Sequence, residues 1–582
     1  MKIKYILAIT LAAALSTGCS DYLDQDNRSN VGAVDFYQTQ KGFESLTNSM
    51  YSSLRSLYNI SPLTLTAGTD LYGDGKTSGV AMNYYQQTAT EGNILTFYTN
   101  FYKSIQLANS VITIGKTTAE SGVRQQHIDE ARFVRAWNYF MLAQLFGKVP
   151  LTEDMYATAQ MNFERNSLKE VYDFIISELE YLANSSSLLD RSASGPGRAN
   201  KRAARLLLAK VYLTRAYLDG TGYEAQEENI AQGSDFQNAA KYAELAIAGE
   251  TPSVSIENAF DVNNEDNGEI FWSVQFSSNT MESPSNDGSY QQAQFGSYLG
   301  GSEMPLTKAI DGNESPFLRL IKMYTRGDGR LEQTFMLELY GTSVQKGGIQ
   351  YFNYYKSPTS PILAYYAPAW ATDADIAAWK ADDPNHQKTN TIITKSVATK
   401  EEGGIGPSTQ KGASWSERRS MDVGVPCIKK FDDYTDASIG NRSSSCSTHD
   451  VVLARLGEAY LIAAEAYMQM GNKAKAAELI NTLRKRPGTI KEGYQAAMTV
   501  TADDMNIDFL LDERAREMAG EYVRWFDLKR THKLVEYVTK YNEDGVTEDQ
   551  MKGGDGKYKI LRPIPQSALD KNQTANEQNP GY

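Results

Sequence analysis

Apolar positions recur at helical spacing along most of this chain. Phe101, Ile105, Ala108 and Ile112 fall on one face of a predicted helix over Tyr98–Ile114. Ala131, Val134, Tyr139, Leu142 and Leu145 do the same over Gln126–Phe146, which Gly147 ends. Val171, Phe174, Ile175, Leu179 and Leu182 predict a helix over Leu168–Ala183. Ala203–Leu218 with Phe236–Ala248, and Val451–Met470 with Lys473–Arg486, read as helix pairs. In the second pair, small residues such as Ala459, Ala464, Ala476 and Ala477 line the contacts. Gly471 turns the chain and Pro487 closes it. A unit of about 34 residues built this way is a tetratricopeptide-like hairpin. The copies are scattered rather than tandem in the sequence. The fold class expected is therefore mostly α, a scaffold of helical pairs.

The texture changes between about residues 250 and 445. Gly, Pro, Ser, Asn and aromatics dominate, and Ile270–Phe276 is one of few strand-like runs. A long aromatic-rich irregular region in a globular chain points to function rather than disorder. The division expected is a signal at 1–18 and a single unit at 19–582. Its parts are N-terminal helices to about 250, the loop-rich insert to about 445, and C-terminal helices from 446.

The first residues set the compartment. Lys2 and Lys4 precede an apolar run, Tyr5–Leu15, too short to span a bilayer. Ser16, Thr17 and Gly18 then lead to Cys19. This order suits a lipoprotein signal with Cys19 acylated and anchoring the chain in one leaflet. An ordinary secretory signal with a coincidental cysteine is the alternative. Cys427 and Cys446 then remain, either bridged or as two unpaired small residues.

Composition narrows the chemistry. The 582 residues carry a net charge of −13, or −15 once Lys2 and Lys4 are removed, which argues against a nucleic-acid partner. Three Cys and four His make a thiolate zinc site or a His-rich metal centre improbable. No cofactor is expected. Asp261–Gly268 is calcium-like in composition, but its glycine is out of place and a surface loop is the better reading. Gly73–Thr77 lacks the first glycine of a phosphate-binding loop. Leu511, Ala515, Met518, Tyr522 and Trp525 form one apolar face of a helix, with Asp512–Glu517 supplying ion pairs on its other faces. No catalytic residue is assigned, although paired carboxylates of a glycoside hydrolase are not excluded by spacing.

The same run, LDERAREMAGEYVRWFDLKR at 511–530, closely resembles a signature of the SusD/RagB family. ARFVRAWNYF at 131–140, LFGKVP at 145–150, GRANKRAAR at 197–205, RLGEAYLIAAEA at 455–466, LRPIPQS at 561–567 and QNPGY at 578–582 agree, in family order. The resemblance implies a surface-exposed, lipid-anchored outer-membrane protein that binds a glycan without chemistry. It implies a partner, a SusC-like TonB-dependent transporter, to which the glycan is delivered. Peptides or another non-sugar nutrient on the same scaffold are the alternative. Arg562 and Ala568 depart from the family pattern, at positions expected to lie away from the site.

Tyr is in excess: 36, against 20 Phe and 6 Trp. Sugars stack on aromatic rings and bond to neighbouring amides and carboxylates. Tyr212, Tyr217, Tyr460, Tyr467 and Tyr522 have helical spacing and are expected to pack. Loop aromatics with their polar neighbours are the candidates for binding, together with the start of the 98–114 helix, where the family resemblance implies ligand contacts: Asp70, Tyr72, Tyr98, Asn100, Tyr290 and Tyr298, with Tyr84, Tyr85 and the 351–366 tyrosines behind them.

Overall fold

The computed structural model describes residues 33–75, 79–118, 122–156, 158–223, 226–277, 288–296, 314–346, 349–353, 362–387, 391–393, 426–433, 447–574 and 577–582. Cys19, Tyr298 and Cys446 lie outside them.

Eight helices form the scaffold: α1 Gln40–Arg55, α2 Gly92–Gly115, α3 Arg124–Phe146, α4 Leu168–Asn184, α5 Lys201–Ala216, α6 Asp235–Ile247, α7 Leu456–Gln469 and α8 Lys473–Arg484. Each packs on the next. Units scattered in sequence are thus tandem in space, because α7 returns from the insert to pack on α6. Small residues allow that return: Ala239, Ala243 and Ala246 meet a helix whose Ala459, Ala463 and Ala466 are equally buried. Local chemistry sets several starts. Ser167 and Glu170 form a reciprocal capping box on α4, and Asn200 and Asn472 accept backbone N–H bonds at the starts of α5 and α8.

Two predicted helices are corrected. Val451–Arg455 is strand β8, antiparallel to β2 (Ile270–Val274), and α7 begins only at Leu456. The β-branched pair Val451–Val452 is buried there, and Arg455 turns inward to carboxylates. The signature run is also two helices, α9 Ile507–Glu517 and α10 Arg524–Arg530, followed by α11 Leu534–Tyr541. Gly520 (φ 76°) and Tyr522 (φ 61°) break it in left-handed conformations. A Cβ on Gly520 would lie 2.4 Å from Phe431, so the turn requires glycine twice over.

The insert is more regular than its composition suggested. β4 (Glu338–Lys346), β5 (Ile349–Asn353), β6 (Ile362–Tyr366) and β7 (Thr391–Ile393) form a sheet in the order β5-β4-β6-β7. β1 (Tyr72–Asp74) pairs with β3 (Glu314–Pro316). In the calcium-like loop Glu265 lies 3.1 Å from His449, Asp266 lies 2.7 Å from Arg191, and Asp261 accepts the Asn263 N–H at 2.8 Å.

Buried ion pairs tie insert to scaffold. The charges of the signature run form ion pairs, as expected, and Glu513, Glu517 and Glu521 form theirs inside the protein. Glu513 meets Arg330, Arg484 and Arg516 at 3.1, 2.7 and 2.6 Å. Glu517 meets Arg330, Arg455 and Arg486 at 3.3, 2.9 and 3.2 Å. Glu521 binds Arg455 at 2.6 Å and also Lys430. Burial alone would raise the Glu517 carboxyl, but Arg486, Arg455 and Arg330 outweigh it and hold it at about 2.

Candidate functional site

One face of α2 presents Leu95, Tyr98, Thr99, Tyr102 and Gln106, a stripe at three- and four-residue spacing. It forms one wall of an open cleft of about 400 Å³. The second wall is the loop from Pro150 to Phe163. The third is α12 (Gln566–Lys571) with Asn572 beyond it.

Each wall is braced from behind. Tyr98 sets its ring edge-on to Phe146 at 5.0 Å and leans on Tyr102 at the same distance. The Tyr102 hydroxyl donates to the Pro150 carbonyl at 3.0 Å. Val149 and Asn166 bridge the base of the loop. Buried Tyr139 accepts the Thr152 N–H at 2.7 Å, while Asn109 donates to the Thr152 carbonyl at 2.8 Å. Asn572 fastens α12 to the loop by accepting from Phe163 N–H (3.0 Å) and donating to its carbonyl (2.6 Å).

This bracing leaves apolar surface in the open. Tyr156 and Met161 remain 37% and 48% exposed, and both line the cleft. Tyr156 stands edge-on to Phe163 at 6.0 Å. Gln106, Gln160 and Asn572 stand among the rings. Rings beside amides suit a ligand with flat apolar C–H faces and many hydroxyls. A larger groove of about 840 Å³ runs between α1 and Ser194–Arg198, but most of the residues lining it are polar or charged. Its aromatic residue, Tyr51, already has Arg198 over its ring at 4.8 Å.

Of the expected site residues, Tyr98 lines the cleft. Asp70 does not: it is fully buried, with Arg524 at 2.6 Å and Arg319 at 2.8 Å. Burial pushes its carboxyl up, and the two guanidinium groups outweigh that and keep it below the usual range. Tyr72 is also corrected to a packing role. It is 4% exposed, accepts the Gly520 N–H at 2.7 Å and packs on Phe295. Asn100 is half-buried on another side of α2 and donates to the Ser56 carbonyl at 2.8 Å. Tyr290 is half-buried too, and its N–H donates to the Tyr58 carbonyl. Tyr85 is buried with its hydroxyl on the Gly68 carbonyl, and Tyr84 bonds to Asp74. Tyr365 stacks on Trp379 at 3.8 Å, and His386 covers the same indole at 4.1 Å.

Ala568, expected to lie apart, lines the cleft beside Tyr98. Arg562 is enclosed, donating to the Thr64 and Ala67 carbonyls with its guanidinium 4.7 Å from the Trp525 ring. Tyr156, Gln160, Met161, Phe163, Lys571 and Asn572 were missed. The one signal was a non-periodic stretch after Pro150 holding Tyr156, Met161 and Phe163 among polar residues.

Comparison with known proteins agrees with this architecture. Residues 214–582 match the model of the SusD family, and residues 21–213 match one described as starch-binding, associating with outer membrane. The chain belongs to the SusD family. The SusD-like protein P2 of Formosa agariphila is 25% identical over the whole of both chains. The starch-binding protein SusD of Bacteroides thetaiotaomicron is 26% identical over 81% of this chain and 75% of its own. Surface glycan-binding protein A of B. thetaiotaomicron, solved with laminarihexaose, superposes with a TM-score of 0.64 at 16% identity, over 94% of this chain and all of that one.

Proposed function

We propose that this protein captures a glycan in the Tyr98–Tyr156 cleft at the cell surface and passes it to a TonB-dependent transporter of the outer membrane. The observation that carries the reading is an open cleft of rings and amides on a SusD scaffold. A relative named for starch binding, and a structural neighbour holding laminarihexaose, support a sugar over a peptide. Cys19 supplies the lipid anchor in this reading, and the chain acts by binding and release, without bond chemistry.

A glycan array on the purified chain, followed by calorimetry of hits, tests it. Tyr98→Ala and Tyr156→Ala should each weaken binding of a hit at least tenfold, roughly the effect of truncating an aromatic hot spot. Unchanged affinity in both variants would overturn the cleft as the site. Cys19→Ala should release the protein from membranes, and persistence there would place the anchor elsewhere.

A further inference from the structure

The cleft has a charge character opposite to that of the chain. The protein carries −13 overall, yet among the described residues no carboxylate lines the cleft, and Lys571 is the one charged residue that does. Lys571 is exposed at the end of α12 and enters no ion pair among the described residues. A second cation stands behind the tyrosines. Arg165 donates to the Lys148, Glu577 and Phe146 carbonyls at 2.7, 2.6 and 3.2 Å, and to the Asn579 side chain at 2.5 Å. All four partners are neutral oxygens. They satisfy its N–H groups without cancelling its charge. Among the described residues no carboxylate forms an ion pair with it; the nearby Glu577 side chain is exposed and screened by solvent. Arg165 is held to the Phe146 carbonyl and the Tyr98 ring packs edge-on to Phe146, which sets the cation behind that wall of the cleft.

The neighbouring acids stand outside the cleft, in solvent that screens them. Glu153, Asp154, Glu164 and Asp570 are exposed on the adjoining loop and helix, and none lines the cleft. An acidic protein repels an anionic ligand over most of its surface, so a cleft that admits one needs local positive potential.

We infer that the cleft selects an acidic glycan, one bearing uronate carboxylates or sulfate esters, with Lys571 meeting the anionic group while the sugar faces lie on Tyr98 and Tyr156. This rests on the cleft being the glycan site. Lys571 acts as a specificity residue, and Arg165 supplies background potential from behind.

The test is calorimetry of the full-length chain against acidic oligosaccharides (oligogalacturonate, oligoalginate, sulfated oligogalactan), each beside a neutral counterpart such as the methyl ester. Tighter binding is expected for an acidic member than for its neutral counterpart. It should weaken roughly fivefold in Lys571→Gln, the scale of one solvent-exposed ion pair. It should recover in Lys571→Arg and fall as salt rises from about 50 mM to about 500 mM. A neutral member bound as tightly as its acidic counterpart, no binding to any acidic member, or acidic binding indifferent to both Lys571→Gln and salt, would overturn the inference. The underlying reading fails differently: glycan binding of either charge class would then survive both Tyr98→Ala and Tyr156→Ala. Tyr156 is partly exposed, so its variant guards against loss of fold in the other.

Discussion

The joint around α9 and α10 and the cleft on α2 use overlapping residue types to opposite ends. At the joint, Glu513, Glu517 and Glu521 are buried and each meets two or more cations. Tyr72 and Tyr522 are buried beside them. At the cleft, Tyr156 and Met161 are exposed, and Lys571 has no ionic partner among the described residues. A polar group with all its bonds made inside the protein holds the fold together. One left at the edge of an apolar opening is available to a ligand. Residue type does not distinguish the two; satisfaction and exposure do.

The largest expected effect lies at the joint. Arg455→Met leaves Glu269, Glu517 and Glu521 short of a buried cation and should cost about 3–5 kcal/mol in denaturant unfolding. The affinity of the remaining folded protein for glycan should not change; a large loss of affinity at full folding would merge the two regions. Next is Gly520→Ala, where a left-handed backbone and the Phe431 ring both oppose a Cβ. A cost of about 2 kcal/mol is expected, again with no effect on binding.

The joint should also be acid-sensitive. Glu517 has a folded value of about 2, below its unfolded value of about 4.5. Its contribution is therefore present above about pH 4.5 and is lost as pH falls through about 2. Acid titration of stability checks this, and a flat profile across that window would contradict it. Glu314, on β3 opposite Asp74 of β1, has the opposite sign. Burial pushes its carboxyl up to about 7, with Gln294 donating to one oxygen at 2.7 Å. Its contribution is full below about pH 4.5 and is lost as pH rises through about 7. Glu314→Gln should thus stabilise the protein by roughly 1–2 kcal/mol at pH 8 relative to its effect at pH 5. The smallest stability effect belongs to the cleft. Tyr156→Ala should shift unfolding by about 0.5 kcal/mol or less while weakening the glycan at least tenfold. If instead it unfolds the protein, the cleft is scaffold after all.

The helices were legible in the chain because their signal is local. The 3.6-residue repeat over residues 126–146 predicted α3 to within two residues. Caps such as Ser167 and Asn200 act within three positions of themselves. The family signature, too, is a set of contiguous runs. The sheet β4–β7 was not legible, since its short strands lie in a region rich in turn-forming residues, and their pairing crosses loops. Val451–Arg455 was mistaken for helix because the partner strand that claims it is almost 180 residues away in sequence.

The candidate site was least legible of all. Asp70 and Tyr72 have the composition of a sugar subsite, but Arg319 and Arg524 close on Asp70 from 249 and 454 positions away. Gly520 N–H claims the Tyr72 hydroxyl from 448 positions away. Tyr98 was named from its place at the start of a helix, yet the loop and C-terminal helix that make it part of a cleft approach from elsewhere in the chain. By itself, then, the sequence determined the helices, their caps and the family, all carried by neighbours along the chain. Only the tertiary structure decided which tyrosines and carboxylates were consumed in packing and which were left open. Burial and hydrogen-bond satisfaction depend on partners brought from hundreds of residues away.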